Sequence, residues 1–236
     1  GPWGKAKVPF LFATNGRPYL LQLKTKSGIW FRDARRAENK ADALPDWYTP
    51  EGLLDTLKKD IDAAHAALKA EPTGYLSFLR DYQLQAIEAV EAAIAKGQRS
   101  CLVAMATGTG KTKTVIAMVY RLLKTKRFRR VLFLVDRSAL GEQAANAFKD
   151  TRFESLQTFT DIFNIKDLQD GAPDPDAKVQ IATVQSIARR LLDEQFEGRR
   201  PHVDDFDCIV VDECHRGYTL DREMSEVEMR FRDEDD

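Results

Sequence analysis

The stretch Cys101-Leu102-Val103-Ala104-Met105-Ala106-Thr107-Gly108-Thr109-Gly110-Lys111-Thr112 decides the fold. It reads as a short apolar strand over 101–105, a tight loop with glycine at 108 and 110, and a helix from Lys111 to Leu123. Strand, glycine loop and helix in that order make a phosphate-binding loop. Gly108 and Gly110 let the backbone turn N–H groups toward a polyphosphate with no Cβ in the way. The helix N-terminus adds a dipole that favours an anion. Thr107, Gly108, Thr109, Gly110, Lys111 and Thr112 are the candidate nucleotide-binding residues. Lys111 is placed to reach the β- and γ-phosphates, and the Thr112 hydroxyl to ligate magnesium. Met105 stands where the common form of this loop has its first glycine.

Downstream, Phe206 to Val211 reads as a strand buried on both faces, and it runs into Asp212-Glu213-Cys214-His215. In an open α/β sheet ligands bind at the carboxyl ends of the strands. Asp212 there would hold magnesium, and Glu213 would position and deprotonate an attacking water. Between the two motifs, Val131–Val135 and Val179–Thr183 are apolar runs without alternation, as in a sheet covered on both sides. Helices are predicted over 138–148, with Ser138 as N-cap, and over 185–192. An amphipathic helix over 80–96 precedes the loop. This alternation predicts a parallel α/β sheet flanked by helices. Residues 170–176 read as a surface loop, and 221–236 as an acidic stretch without a clear ending.

The N-terminal part follows another pattern. Phe10–Thr14 and 19–23 are strand candidates around the turn signal Asn15-Gly16-Arg17-Pro18, and 29–31 is a third. A single helix is predicted over 51–69, with Leu53, Leu54, Leu57, Ile61, Ala64 and Leu68 on one stripe. Glu71-Pro72-Thr73-Gly74 breaks it. The chain therefore divides into a small α+β segment over 1–50, a helical linker over 51–74, and the α/β unit over 75–236.

The composition is that of an ordinary soluble protein, with 236 residues, 43% hydrophobic, 31% charged and a formal net charge of −1. A nucleic-acid surface must then come from local placement of Lys and Arg. The basic run Lys124, Lys126, Arg127, Arg129, Arg130 is one candidate, although a solvated turn is the simpler expectation. The three cysteines, Cys101, Cys208 and Cys214, read as reduced thiols. Cys214-His215 has no second pair at zinc spacing. No apolar run has transmembrane length, and there is no signal peptide. Gly1-Pro2 carries no initiator Met, so the sequence reads as an excerpt of something longer.

Taken together, the phosphate loop and the Asp-Glu-Cys-His box resemble the first motor domain of a superfamily 2 helicase or translocase. More narrowly, the chain resembles the motor (R) subunit of type I restriction enzymes. The residues that carry this are 104–112, Phe133-Leu134-Val135-Asp136-Arg137-Ser138-Ala139-Leu140, Ile181-Ala182-Thr183-Val184-Gln185-Ser186 and Val211-Asp212-Glu213-Cys214-His215-Arg216-Gly217. The resemblance implies a RecA-like sheet, ATP and Mg2+ as cofactors, and a bacterial or archaeal cytoplasmic location. Duplex DNA and the methyltransferase and specificity subunits are the implied partners. It implies that Gln83, supported by Arg80 in Arg80-Asp81-Tyr82-Gln83, reads the adenine edge. Arg137 and Ser138, and Thr183 and Gln185, would contact the DNA backbone. His215 would couple the nucleotide to the DNA.

The preceding segment resembles the tail of a nuclease domain, but Gln22-Leu23-Lys24 has Gln where that domain needs Glu, so no nuclease residue is assigned. The resemblance also implies a Ser/Thr-Ala-Thr motif and a second RecA-like domain that these residues lack. The strand leading to that motif would lie between the phosphate-loop strand and the Asp-Glu strand. The 236 residues alone are thus expected to bind nucleotide weakly and hydrolyse it negligibly. Two other readings are another DNA-dependent superfamily 2 ATPase, such as a repair helicase, and a non-catalytic DNA- or subunit-docking module.

Overall fold

Three short strands open the chain. β1 (Phe10–Thr14) pairs antiparallel with β2 (Ile29–Asp33), which pairs with β3 (Asp42–Leu44). The computed structural model describes residues 7–19, 28–37, 39–136, 138–153, 158–167, 176–193 and 195–214, with backbone alone at 138–142 and 166–167. The turn at Asn15-Gly16 forms: Gly16 has φ +75°, and Asn15 Oδ1 accepts from Arg17 N. β1 takes Ile29–Asp33 as its partner, while residues 20–23 of the expected second strand lie outside the described residues. Cross-strand aromatics hold this sheet, with Phe12 and Phe31 ring centroids 5.0 Å apart.

The predicted single helix over 51–69 is two helices, α1 (Pro50–Lys58) and α2 (Ile61–Ala70). The break has a local cause. Asp60 is extended (φ −91°, ψ 98°), and its carboxylate accepts from Ala63 N at 2.9 Å. A short acidic side chain that caps a new helix competes with continuing the old one. Thr49 caps α1 in the same way, accepting from Gly52 N.

A 3-10 turn (Gly74–Leu76) leads into α3 (Asp81–Ala95) and α4 (Lys111–Lys124). Then follow β4 (Val131–Val135), α5 (Ser138–Asp150), α6 (Phe159–Ile162), β5 (Ile165–Asp167), β6 (Val179–Thr183), α7 (Val184–Leu192) and β7 (Cys208–Val211). The last four strands form one parallel sheet in the order β5-β6-β4-β7, as the apolar runs predict for β4 and β6, whereas the run 206–211, expected to be buried on both faces, is strand only over 208–211 and leaves Ile209 60% exposed. Its core joins Phe133, Phe148, Phe159 and Ile181 to Ile116, Val119 and Tyr120 of α4. The rings interlock: Phe133 meets Phe148 edge-on at 5.6 Å, and Tyr120 stacks on Phe153 at 4.0 Å.

The sequence reading fails at residues 101–105. They form no strand; Leu102 is 82% exposed and Val103 41%. A strand exists only through its ladder partners. Among the described residues, β4 is the only strand that β7 pairs with, and no ladder joins 101–105 to the sheet.

The basic run keeps a turn at Thr125-Lys126 with Lys126 exposed, as expected, but its other four cations are engaged by the protein. Lys124 pairs with Glu71 at 2.7 Å and lies over the Tyr75 ring. Arg127 Nε donates to His65 Nε2, and Arg129 pairs with Asp55. Arg130 is buried beside Asp205 and over the Phe206 ring. Asp207 accepts from the backbone N–H of both Arg129 and Arg130, and from Lys59 Nζ at 2.9 Å. Asp204 accepts from Thr49 N and Oγ1. Asp204 and Asp207 thus tie α1 to the start of β7.

Arg121 fixes the other end of the linker. It is 3% exposed, pairs with Glu91 through Nε and Nη2 at 2.6 and 3.1 Å, and donates to the carbonyls of Leu68, Glu71 and Pro72. Those carbonyls close α2, where helical partners run out. A guanidinium with a carboxylate and several carbonyls satisfies the donors that burial would otherwise strand.

Candidate nucleotide site

The site is built at one edge of the sheet. In parallel strands all carboxyl ends point the same way, and the register sets Val135 beside Thr183 and Leu134 beside Val211. Asp136, Thr183 and Asp212 therefore follow one another along a single rim. Asp212 N donates to Leu134 O at 2.9 Å, continuing the ladder one residue past β7. At Glu213 the chain turns sharply. Its φ is +51°, a left-handed conformation that costs a non-glycine residue about 1–2 kcal/mol. Its N–H donates to Asp212 Oδ1. Backbone held in such a conformation at the end of a strand marks a place where geometry is imposed.

The phosphate loop supplies the facing group. Lys111 Nζ lies 3.0 Å from Glu213 Oε1, with the two side chains 26% and 23% exposed. The two motifs, a hundred residues apart in sequence, thus meet directly. At that exposure the pair contributes little to stability, so it can be exchanged for another anion at small cost.

Gly108 has φ +78° and Gly110 φ +81°. A Cβ on Gly108 would meet nothing within 4 Å, so the loop's outer side is open space. A Cβ on Gly110 would lie 2.6 Å from Gln83 Nε2, so Gly110 is required by conformation and by close approach. Gly110 is also the N-cap of α4 and has no side chain to cap it. The first N–H groups of α4 are left to an outside acceptor. The Thr112 hydroxyl and the Asp212 carboxylate are oxygen donors of the kind Mg2+ takes in small number, completing its shell with water and phosphate. The residues present fit a magnesium–polyphosphate.

Gln83 is 4% exposed and its carboxamide is engaged with the loop. Its Oε1 accepts from Arg80 N at 2.8 Å, and its Nε2 donates to Thr109 O and Gly110 O. Arg80 is exposed at the head of α3. Thr107 is exposed on the loop. Thr183 caps α7: its buried Oγ1 accepts from Ser186 N, and Ser186 Oγ donates back to Thr183 O. Gln185 is exposed on the first turn of that helix. Ser138 opens α5, while its side chain, Arg137 and His215 lie outside the described residues.

Two contacts were not foreseen. Tyr82 Oη donates to Thr109 O at 2.8 Å, although its position inside Arg80-Asp81-Tyr82-Gln83 marked it as near the site. Arg121 was signalled only by a charge between Tyr120 and Leu122 on an otherwise apolar stripe.

Comparison with known proteins gives the family. The family model described as "Type III restriction enzyme, res subunit" matches residues 77–233, and that described as "Type I restriction enzyme EcoKI endonuclease subunit second domain" matches residues 1–57. The chain is 50% identical over 228 residues to the type I restriction enzyme EcoKI endonuclease subunit of Escherichia coli strain K12, covering 96% of this chain and 19% of that protein. It is 35% identical over 220 residues to the EcoAI endonuclease subunit of Escherichia coli, covering 89% of this chain and 25% of that protein. A Staphylococcus aureus (strain COL) type I endonuclease subunit is 26% identical over 145 residues, 60% of this chain and 15% of that protein. The chain spans a quarter or less of the length of these relatives. The resemblance to type I R subunits is borne out, and this chain belongs to the restriction-enzyme res-subunit family, with its helicase-like domain.

Proposed function

We propose that this chain forms one wall of the ATP site of a subunit that drives duplex DNA past a restriction complex and then cleaves it. The observation that carries this reading is the 3.0 Å approach of Lys111 to Glu213 across the phosphate loop and the acidic strand end. With ATP in place, Lys111 would exchange Glu213 for the β- and γ-phosphates. Glu213 would then orient a water and accept its proton. Thr112 and Asp212 would hold Mg2+, which neutralises charge developing on the phosphates. Gly108, Thr109 and Gly110 would line the triphosphate and Arg80 the adenine side, while Gln83, its carboxamide engaged at both ends, would brace the loop.

Thr183 and Gln185, with Arg137 and Ser138, would face the DNA backbone from the same sheet edge, and His215 would couple the two sites. The partners proposed are duplex DNA and the methyltransferase and specificity subunits of a type I complex, in a bacterial cytoplasm. We keep the division at 1–50, 51–74 and 75–236; the start of one family match at 77 supports the last boundary. A decayed docking module is disfavoured, since Lys111, Thr112, Asp212 and Glu213 are all present and two of them are paired.

Lys111→Ala in the full-length subunit, assembled with its partners, tests the reading. DNA-dependent ATP hydrolysis and DNA translocation should both fall to background. Translocation at the unaltered rate would rule the site assignment out.

A further inference from the structure

We propose that Tyr82 is a positioning residue for the phosphate loop, acting through its hydroxyl and not by stacking on a base. The inference rests on the ATP-site reading above. Thr109 O accepts from Tyr82 Oη at 2.8 Å and from Gln83 Nε2 at 3.0 Å. A carbonyl oxygen has two lone pairs, so the first turn of α3 occupies both on this one atom. The next carbonyl, Gly110 O, takes the second Gln83 contact at 3.2 Å and also accepts from the Thr114 hydroxyl. On the other side of the turn, Ala106 O accepts from Thr109 N and from Thr109 Oγ1 at 2.6 Å.

The carbonyls of Ala106, Thr109 and Gly110 are thereby committed to donors of the protein itself. A peptide group is a rigid plane. Fixing the direction of the Thr109 carbonyl fixes the N–H of Gly110 on the opposite side. That N–H is the last before α4, next to Lys111. Gln83 is buried and its carboxamide is held by Arg80 N at its other end, so it is a fixed strut. Tyr82 is 40% exposed, and its long, rigid arm reaches the same oxygen from solvent. Its hydroxyl is the contact whose loss leaves the fold intact while loosening the loop. Because it acts on the phosphate cradle, its effect is blind to the identity of the base.

Tyr82→Phe and Tyr82→Ala in the full-length subunit test this. Steady-state hydrolysis of ATP and binding of ADP and GDP are measured beside wild type and Lys111→Ala. Tyr82→Phe should raise KM for ATP about five- to tenfold, the worth of one hydrogen bond. It should weaken ADP and GDP alike, leave kcat at saturating ATP within about twofold, and leave the melting temperature without nucleotide unchanged. Tyr82→Ala should match Tyr82→Phe. Wild-type behaviour of Tyr82→Phe, or a loss confined to adenine nucleotides, overturns the proposal; so does a fall in melting temperature and kcat together. If Lys111→Ala retains wild-type turnover, the ATP-site reading fails instead, whatever Tyr82 does.

Discussion

β6 and β7 flank the same neighbour, β4, in parallel register, yet they are treated very differently. Every residue of β6 is buried, whereas β7 alternates between half-buried and exposed, and Ile209 is 60% exposed. The β6 side is sealed by aromatic packing around Phe133, Phe148 and Phe159. The β7 side carries the Asp212-Glu213 pair at its carboxyl end. Stability is thus concentrated on one half of the sheet and the candidate chemistry on the other. The site half is held instead at the start of β7, by Asp204 and Asp207.

The largest difference between the halves should appear in a pair of truncations. Phe133→Ala removes a ring that is 1% exposed and should cost about 3–5 kcal/mol. Ile209→Ala, on the adjacent strand, should cost less than about 1 kcal/mol because little apolar surface is withdrawn from water there. Denaturant unfolding of the full-length subunit, followed by a probe in this domain, measures both. Equal costs would break the comparison.

A smaller effect distinguishes the start of β7 from its surroundings. Burial, and then the neighbouring Asp207, push the Cys208 thiol up to about 12. Cys101 and Cys214 are exposed. At pH 8 a thiol reagent should modify those two and leave Cys208 untouched until the protein unfolds. The sign for stability follows. A thiol raised above its unfolded value of about 8.5 contributes stability that is complete below that pH and lost as pH rises toward 12. Reaction of all three thiols at one rate in the native protein would show that the base of β7 is as open as its end.

The sequence made the well-packed half legible and the site half only partly so. Val131–Val135 and Val179–Thr183 are apolar without alternation, and burial on both faces is the sole environment that suits them. The loop Gly108–Thr112 and the pair Asp212-Glu213 were legible because each needs a particular residue at a particular place. Residues 101–105 have the same apolar character as β4, but a strand depends on a neighbour that no local pattern encodes. The split at Asp60 was missed because the stripe of leucines continues through it, and only the cap of α2 decides the matter. The basic run was misjudged for the converse reason. Its partners, Asp55, His65, Glu71, Asp205 and Asp207, come from segments distant in sequence.

The central claim is that Glu213 activates water at a site where Lys111 grips phosphate. Glu213→Gln in the full-length subunit separates the two roles. The substitution keeps the size and removes the proton acceptor. ATP binding should stay within a few-fold of wild type, while DNA-dependent turnover measured under single-turnover conditions should fall by about 10²–10⁴. Wild-type turnover by Glu213→Gln would contradict the account.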